Sequence, residues 1–150
     1  MPRPAEPLQL HHSWALWTSA ERFELGLIAD RALIERHMPP PGRWCCDLAD
    51  QRLDWSTEVY RLFGLDEDIR PTRATAVAMY REGSRAAMER LRDHAIRHRR
   101  GFTIDVEIRA RCGTERWMRL TAAPLCEGAR VVRLHGLKQD VTGLYRRSGG

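Results

Sequence analysis

Six histidines and four cysteines are the side chains of this 150-residue chain best suited to ligation or reaction, and their spacing decides what they can do. His94 and His98 stand one helical turn apart in SRAAMERLRDHAIRHRR (84–100), where Ala87, Met88, Leu91 and Ala95 form an apolar stripe. At 100° per residue His98 projects between Ala87 and Leu91, on the side expected to face a core. A histidine near a helix C-terminus also has a structural use, because the macrodipole favours it and it can bond the last carbonyls. His11, His12 and His37 lie in the N-terminal region and read as exposed, whereas His135 sits on a strand, on the face opposite Leu134. Cys45 and Cys46 are adjacent on a strand and so point to opposite faces. Cys112 and Cys126 fall at turns, and the repeated close pairs that zinc demands are absent, so the thiols read as structural. Asp66, Glu67 and Asp68 read as a solvated loop. There is no Gly-x-Ser-x-Gly elbow, Walker loop, dinucleotide fingerprint or HExxH helix, and no constellation for an enzyme.

The elements that would position these side chains follow from periodicity. FTIDVEIR (102–109) alternates strictly, with Phe102, Ile104, Val106 and Ile108 on one face and Thr103, Asp105, Glu107 and Arg109 on the other. That is a strand with one buried and one wet face. The turn Arg111-Cys112-Gly113-Thr114 leads to a second run from Trp117 to Leu125, and Glu127-Gly128 leads to VVRLHGLKQDVT (131–142), which makes an antiparallel meander. Its acidic residues are expected on the sheet surface, paired across strands with Arg109, Arg119 or Arg133. Upstream, GRWCCDL (42–48) and RLDWS (52–56) read as a hairpin. STEVYRLFG (56–64) reads as a helix with Ser56 at its cap and Gly64 at its close. PTRATAVAMY is a second short helix, and Ser84 opens a longer one that Gly101 ends. Together they predict an α+β fold, a five-stranded antiparallel sheet with helices on one face.

The residues in this order resemble a known family. GRWCCDLADQRLDWSTEVYRLFGL is similar to the opening of a PAS domain of the subclass that begins with a Gly-x-Trp strand. DVEIRARCGTERWM resembles that subclass's penultimate hairpin, including the Arg116-Trp117 pair, and LHGLKQDVT its last strand with the closing Asp-x-Thr motif, Asp140-Val141-Thr142. The likeness covers about residues 40–145. It departs where such domains often carry a His-Pro-x-Asp-Arg run, which here reads Tyr80-Arg81-Glu82-Gly83-Ser84-Arg85.

The resemblance implies a non-catalytic sensory or protein-interaction module of bacterial-type signal transduction, docking a partner such as a kinase or regulator. It also implies a sheet and helices that can enclose a small-molecule pocket. From the sheet the candidate lining is Ile104, Val106, Ile108, Leu120 and Leu134; from the cover it is Trp55, Tyr60, Phe63 and Met88. The same residues make a plain hydrophobic core if the interior packs without a void. His98 resembles in position the proximal histidine of haem-binding PAS domains, so haem joins a metabolite as the alternative, cofactor-bound reading. No cofactor is favoured by the residues themselves. The Asn-Cys-Arg-Phe type of helix that flavin-photoadduct relatives carry is absent. Asp140 and Thr142 match the motif that couples the sheet to a following output segment.

The flanks complete the domain plan: an extension over 1–40, the PAS-like domain over 41–145 and a tail over 146–150. Thr18-Ser19-Ala20-Glu21 has the spacing of a capping box. Phe23, Leu27, Ile34 and Met38 then fall at intervals of four, seven and four, one stripe of an amphipathic helix that Pro39-Pro40-Pro41 stops. Such a helix needs a surface. Either it folds back on its own sheet, or it packs on a second subunit and makes a homodimer. Trp14, Leu16 and Trp17 before it are apolar enough to dock. The net charge of +5 is almost all arginine, Lys138 being the only lysine, and most arginines alternate with acids as on a solvated surface rather than a nucleic-acid stripe. No 18-residue apolar run or signal-peptide pattern occurs, so a soluble, cytoplasmic protein is expected, with no membrane partner.

Overall fold

The structure is a computed structural model and describes residues 12–26 and 39–145. In chain order it contains β1 (Trp14–Ala15), a 3-10 turn (Leu16–Thr18), α1 (Ser19–Gly26), β2 (Gly42–Asp47), β3 (Leu53–Trp55), α2 (Thr57–Phe63), α3 (Arg73–Ala78) and α4 (Glu82–His98). The meander follows as β4 (Arg100–Arg109), β5 (Glu115–Glu127) and β6 (Arg130–Asp140), and a short α5 (Thr142–Tyr145) closes the described chain. Gly113 and Gly128 take positive φ at the two meander turns, 92° and 62°, where L side chains are strained. The α+β sheet expected from the sequence is the one observed, antiparallel throughout, in the order β1-β4-β5-β6-β2-β3. It has six strands rather than five, because Trp14–Ala15 pairs with Arg100 and Gly101 at the edge. The other end of that edge is occupied by the chain before α4: Arg81 N–H donates to Glu107 and Arg109 N–H to Met79. The free backbone of β4 is thereby blunted at both ends.

The inner face of the sheet carries Phe102, Ile104, Val106 and Ile108 from β4, Met118 and Leu120 from β5, and Leu134 from β6, all buried under α2, α3 and α4. Four local expectations need correction. Ser56 precedes α2, but its hydroxyl accepts from the Arg43 N–H at 3.0 Å instead of capping the helix. Helix α4 begins at Glu82; Ser84 lies inside it, buried, and accepts from the Glu107 N–H. Its end is made by Arg99 in the left-handed region (φ 54°), while Gly101 already belongs to β4. The capping box is not formed either, since Thr18 donates its hydroxyl to the Ala15 carbonyl.

The outer face was expected to be wet and is not. Thr103, Asp105, Thr121 and Gln139 are buried on it. Trp14 supplies part of the cover: it is 1 % exposed and its indole donates to the Thr103 hydroxyl at 3.1 Å. Phe23 on α1 stands edge-on to Trp14 (6.2 Å) and to His135 (5.4 Å). At the other end Trp117 and Val141 form a small cluster capped by Tyr145. The Trp14 ring lies over Gly101, where a Cβ would come within 2.1 Å of it. Gly101→Ala is therefore expected to displace Trp14 and to cost roughly 1–3 kcal/mol. Urea unfolding together with faster amide exchange at Trp14–Ala15 checks it, and an unchanged exchange pattern would refute it.

Candidate functional site

The one lysine of the chain is inside. Lys138 follows Leu134 by four residues on β6, so strand alternation puts both on the inner face, and Lys138 is only 7 % exposed. Its ammonium stands over three aromatic rings, 5.2 Å from the centroid of Trp44, 5.4 Å from Trp55 and 5.0 Å from Phe63. Hairpin β2–β3 presents the two tryptophans directly opposite one another, and α2 delivers Phe63, stacked on Trp55 at 4.9 Å. The ring faces stabilise a cation, by about 2 kcal/mol or more where water is excluded. No carboxylate pairs with Lys138 among the described residues. Trp55 brings a further unsatisfied donor, an indole N–H that is buried with no acceptor among the described residues.

Beside this cage is a cavity of about 50 Å³. That is space for more than one water-sized body. Lys138, Arg73 and Arg92 are the charged residues in its wall, and the rest is largely apolar, including Met88, Leu120, Leu134 and Phe102. Arg73 and Arg92 also line an outer cleft of about 740 Å³, together with Arg52, Arg70 and Asp50. Arg73 is held by Glu89, and Arg92 donates to the Gln51 side-chain oxygen at 2.9 Å. Burial dominates the electrostatics. It pulls the Lys138 ammonium from 10.5 down to about 7. It pushes the Cys46 thiol and the Tyr80 hydroxyl up and the Arg92 guanidinium down, each by disfavouring the charged form.

The residues expected to line a pocket do not all do so. Met88, Leu120 and Leu134 reach the cavity wall. Trp55 and Phe63 belong to the lysine cage, Ile104, Val106 and Ile108 are fully buried in the core, and Tyr60 packs edge-on to Trp55 at its margin. His98 requires a correction. It is exposed, with its ring 4.4 Å from that of His94, one turn away on the same exposed face. The buried line of α4 is Ser84, Met88 and Ala95, and the next position on it, Arg99, ends the helix, which leaves His98 outside. A tetrapyrrole fits neither that imidazole nor a 50 Å³ cavity, since cofactor pockets run to several hundred cubic ångströms. The residues do not fit haem.

Two residues beyond Lys138, β6 ends in a built junction. Both the N–H and the hydroxyl of Thr142 donate to the Asp140 carboxylate, at 2.9 and 2.6 Å. The Thr142 hydroxyl accepts from the Trp117 N–H at 3.0 Å, and the Val141 N–H donates to the Trp117 carbonyl. The neighbouring Arg116 donates to the Arg61 and Leu62 carbonyls at the end of α2 and stands near Asp140. The Arg-Trp pair thus joins α2, β5 and the start of α5. Of the stripe expected at a dimer interface, Phe23 lies against its own sheet, while Leu27, Ile34 and Met38 lie outside the described residues.

Neither the family models nor the curated proteins contain a match to this chain. Solved structures do. An RNA-binding light-oxygen-voltage receptor matches with a TM-score of 0.63 at 20 % identity over 71 % of this chain, which spans only 31 % of that receptor. A sensory box histidine kinase/response regulator from Burkholderia thailandensis matches at 0.61 and 19 % identity, covering 77 % of this chain and 87 % of that one. The N-terminal domain of a diguanylate cyclase with a PAS/PAC sensor, from Marinobacter aquaeolei, matches at 0.65 and 11 % identity, over 71 % of this chain and all of that one. At such identities the likeness is one of fold, and the fold is that of a PAS domain.

Proposed function

From the premise of a PAS fold, we propose that this chain is a non-catalytic sensory module of signal transduction that works by changing how it docks a second subunit or a signalling partner. The observation that carries the reading is the placement of Lys138 and Asp140 on one strand. A displacement of β6 inside the core would pass directly into the Asp140–Thr142 junction and α5. Structures with the same fold include a sensory box histidine kinase/response regulator and the N-terminal domain of a diguanylate cyclase with a PAS/PAC sensor, which supports partners of that kind here. No helix among the described residues is long and apolar enough to cross a membrane. The cavity beside Lys138 favours the small-molecule form of this reading over a ligand-free docking module.

Dimerisation through the N-terminal stripe is tested by giving Leu27 and Ile34 charges. Light scattering on the eluting protein should show a dimer for the wild type. For Leu27→Glu combined with Ile34→Glu the dimer should weaken by about a hundredfold or more, the worth of burying two aliphatic side chains. A monomeric wild type, or a dimer that ignores both substitutions, removes this interface.

A further inference from the structure

Every charged residue in the wall of the inner cavity is a cation, and Lys138 alone lacks a partner among the described residues. An ammonium this far inside is expensive, because three ring faces replace only part of its hydration and no carboxylate stands opposite it among the described residues. Strand alternation holds it inside, the Trp44, Trp55 and Phe63 rings surround it, and a cavity larger than one water adjoins it. We propose that the cavity binds the carboxylate of a small organic acid, with the Lys138 ammonium as its counter-ion and the passage to the outer cleft flanked by Arg73 and Arg92. This rests on the sensory reading above and names the chemical class of its ligand.

The class follows from charge and wall. One ammonium matches one carboxylate, whereas inorganic phosphate carries between one and two negative charges and presents four oxygens to a wall that is otherwise largely apolar. Met88, Phe102, Leu120 and Leu134 supply apolar contact for a short carbon chain, which sulfate or chloride would waste. Arg73 and Arg92, already held by Glu89 and Gln51, contribute a positive field along the approach rather than the primary ion pair. Charge-assisted donation from Lys138 is the strong contact. The carboxylate would meet an ammonium faced by Cys46 on β2, Arg73 on α3, Tyr80 between the helices and Arg92 on α4. None of these is a carboxylate that could pair with the ammonium in the ligand's place.

The test uses the full chain with acetate, propionate, butyrate and succinate as probes. Butyramide serves as the uncharged control, and chloride and inorganic phosphate are matched in ionic strength. Affinity is read by calorimetry and by chemical shifts of the β6 amides. Binding by a carboxylate but not by its amide, with affinity reduced about tenfold or more in Lys138→Met and in Lys138→Gln, is the expected result, the worth of one charge-assisted hydrogen bond. Absence of carboxylate binding at millimolar concentration overturns the site, as do equal binding of butyramide, equal binding of chloride or phosphate, and undiminished binding in both variants. Light scattering on the same samples reports self-association independently. A protein that dimerises but binds no carboxylate therefore loses the site and keeps the interaction module, whereas one that binds carboxylate with no change in assembly or in the Asp140–Thr142 amides keeps the site and loses the sensory reading.

Discussion

Lys138→Met yields a more stable protein, by roughly 2–4 kcal/mol near pH 6, where the wild type must hold a buried ammonium. Methionine fills a similar volume, keeps contact with Trp44, Trp55 and Phe63, and needs no counter-ion. The pH dependence follows from linkage. The folded state holds the Lys138 proton only below about pH 7, while the unfolded chain holds it to 10.5. Between those values the unfolded state binds more protons, so this group makes stability rise with pH, by at most roughly 1.4 kcal/mol per pH unit. Cys46 and Tyr80 work the other way. Their protons leave the unfolded chain first, from about pH 9 and pH 10, so their contribution is lost as the pH climbs past those values. The clean window is therefore about pH 7 to 9, across which the advantage of Lys138→Met shrinks by roughly 2 kcal/mol, or some 4–8 °C in melting temperature. Arg73 and Arg92 line the same cavity in both proteins, and comparing variant with wild type removes contributions common to the two. Thermal unfolding of both proteins across the window decides it. A destabilised variant, or a difference that does not change with pH, would mean that Lys138 is not a buried titrating cation.

What the sequence revealed and what it hid divide along the range of the interactions. The meander was legible because alternation and glycine turns are local: Phe102 to Ile108 face inward as read, and Gly113 and Gly128 turn the chain where expected. The polar side of the same strand was misread because its cover comes from far away. Trp14 reaches Thr103 from 89 positions upstream and Tyr145 reaches Asp105 from 40 positions downstream, and no period in FTIDVEIR encodes either. His98 failed for a different reason. A helical projection assigns a direction but not the point at which the sheet stops covering the helix, and His98 falls in the last turn. Lys138 carried a usable signal that went unread. Alternation from Leu134 places it inside, whereas its being the lone lysine among 25 basic residues is a fact of composition that carries no position. Arg73 and Arg92 had no such signal, since Arg73 opens a short helix, Arg92 is one of several arginines on α4, and the two meet only through the tertiary fold.

Asp105→Ala is expected to cost more than any other change of a polar side chain considered on the outer face. Asp105 is fully buried and receives two bonds from Arg119, at 2.9 and 3.1 Å, from a guanidinium side chain only 11 % exposed. Its second oxygen also accepts the Tyr145 hydroxyl, whose ring stacks on Trp117 at 4.0 Å. Removing the carboxylate leaves a mostly buried guanidinium without its bidentate partner, a loss of roughly 3–5 kcal/mol. The charge, rather than the contact, sets that cost. Arg119→Met alone should also destabilise, and the double variant should recover stability relative to Asp105→Ala, because no unmatched charge then remains. Tyr145→Phe keeps the stack and loses one hydrogen bond to a charged group, so its cost is smaller, roughly 1–3 kcal/mol. The Tyr145 hydroxyl is itself held well above its ordinary titration range, first by burial and then by donation to Asp105, so the latch persists across the pH range in which Lys138 titrates. Because Tyr145 docks α5 against the sheet, Asp105→Ala should also speed amide exchange from Thr142 to Tyr145 more than across β2 and β3. Uniform acceleration would make Asp105 a plain stability residue; selective release would make it the clasp through which the sheet holds its outgoing segment.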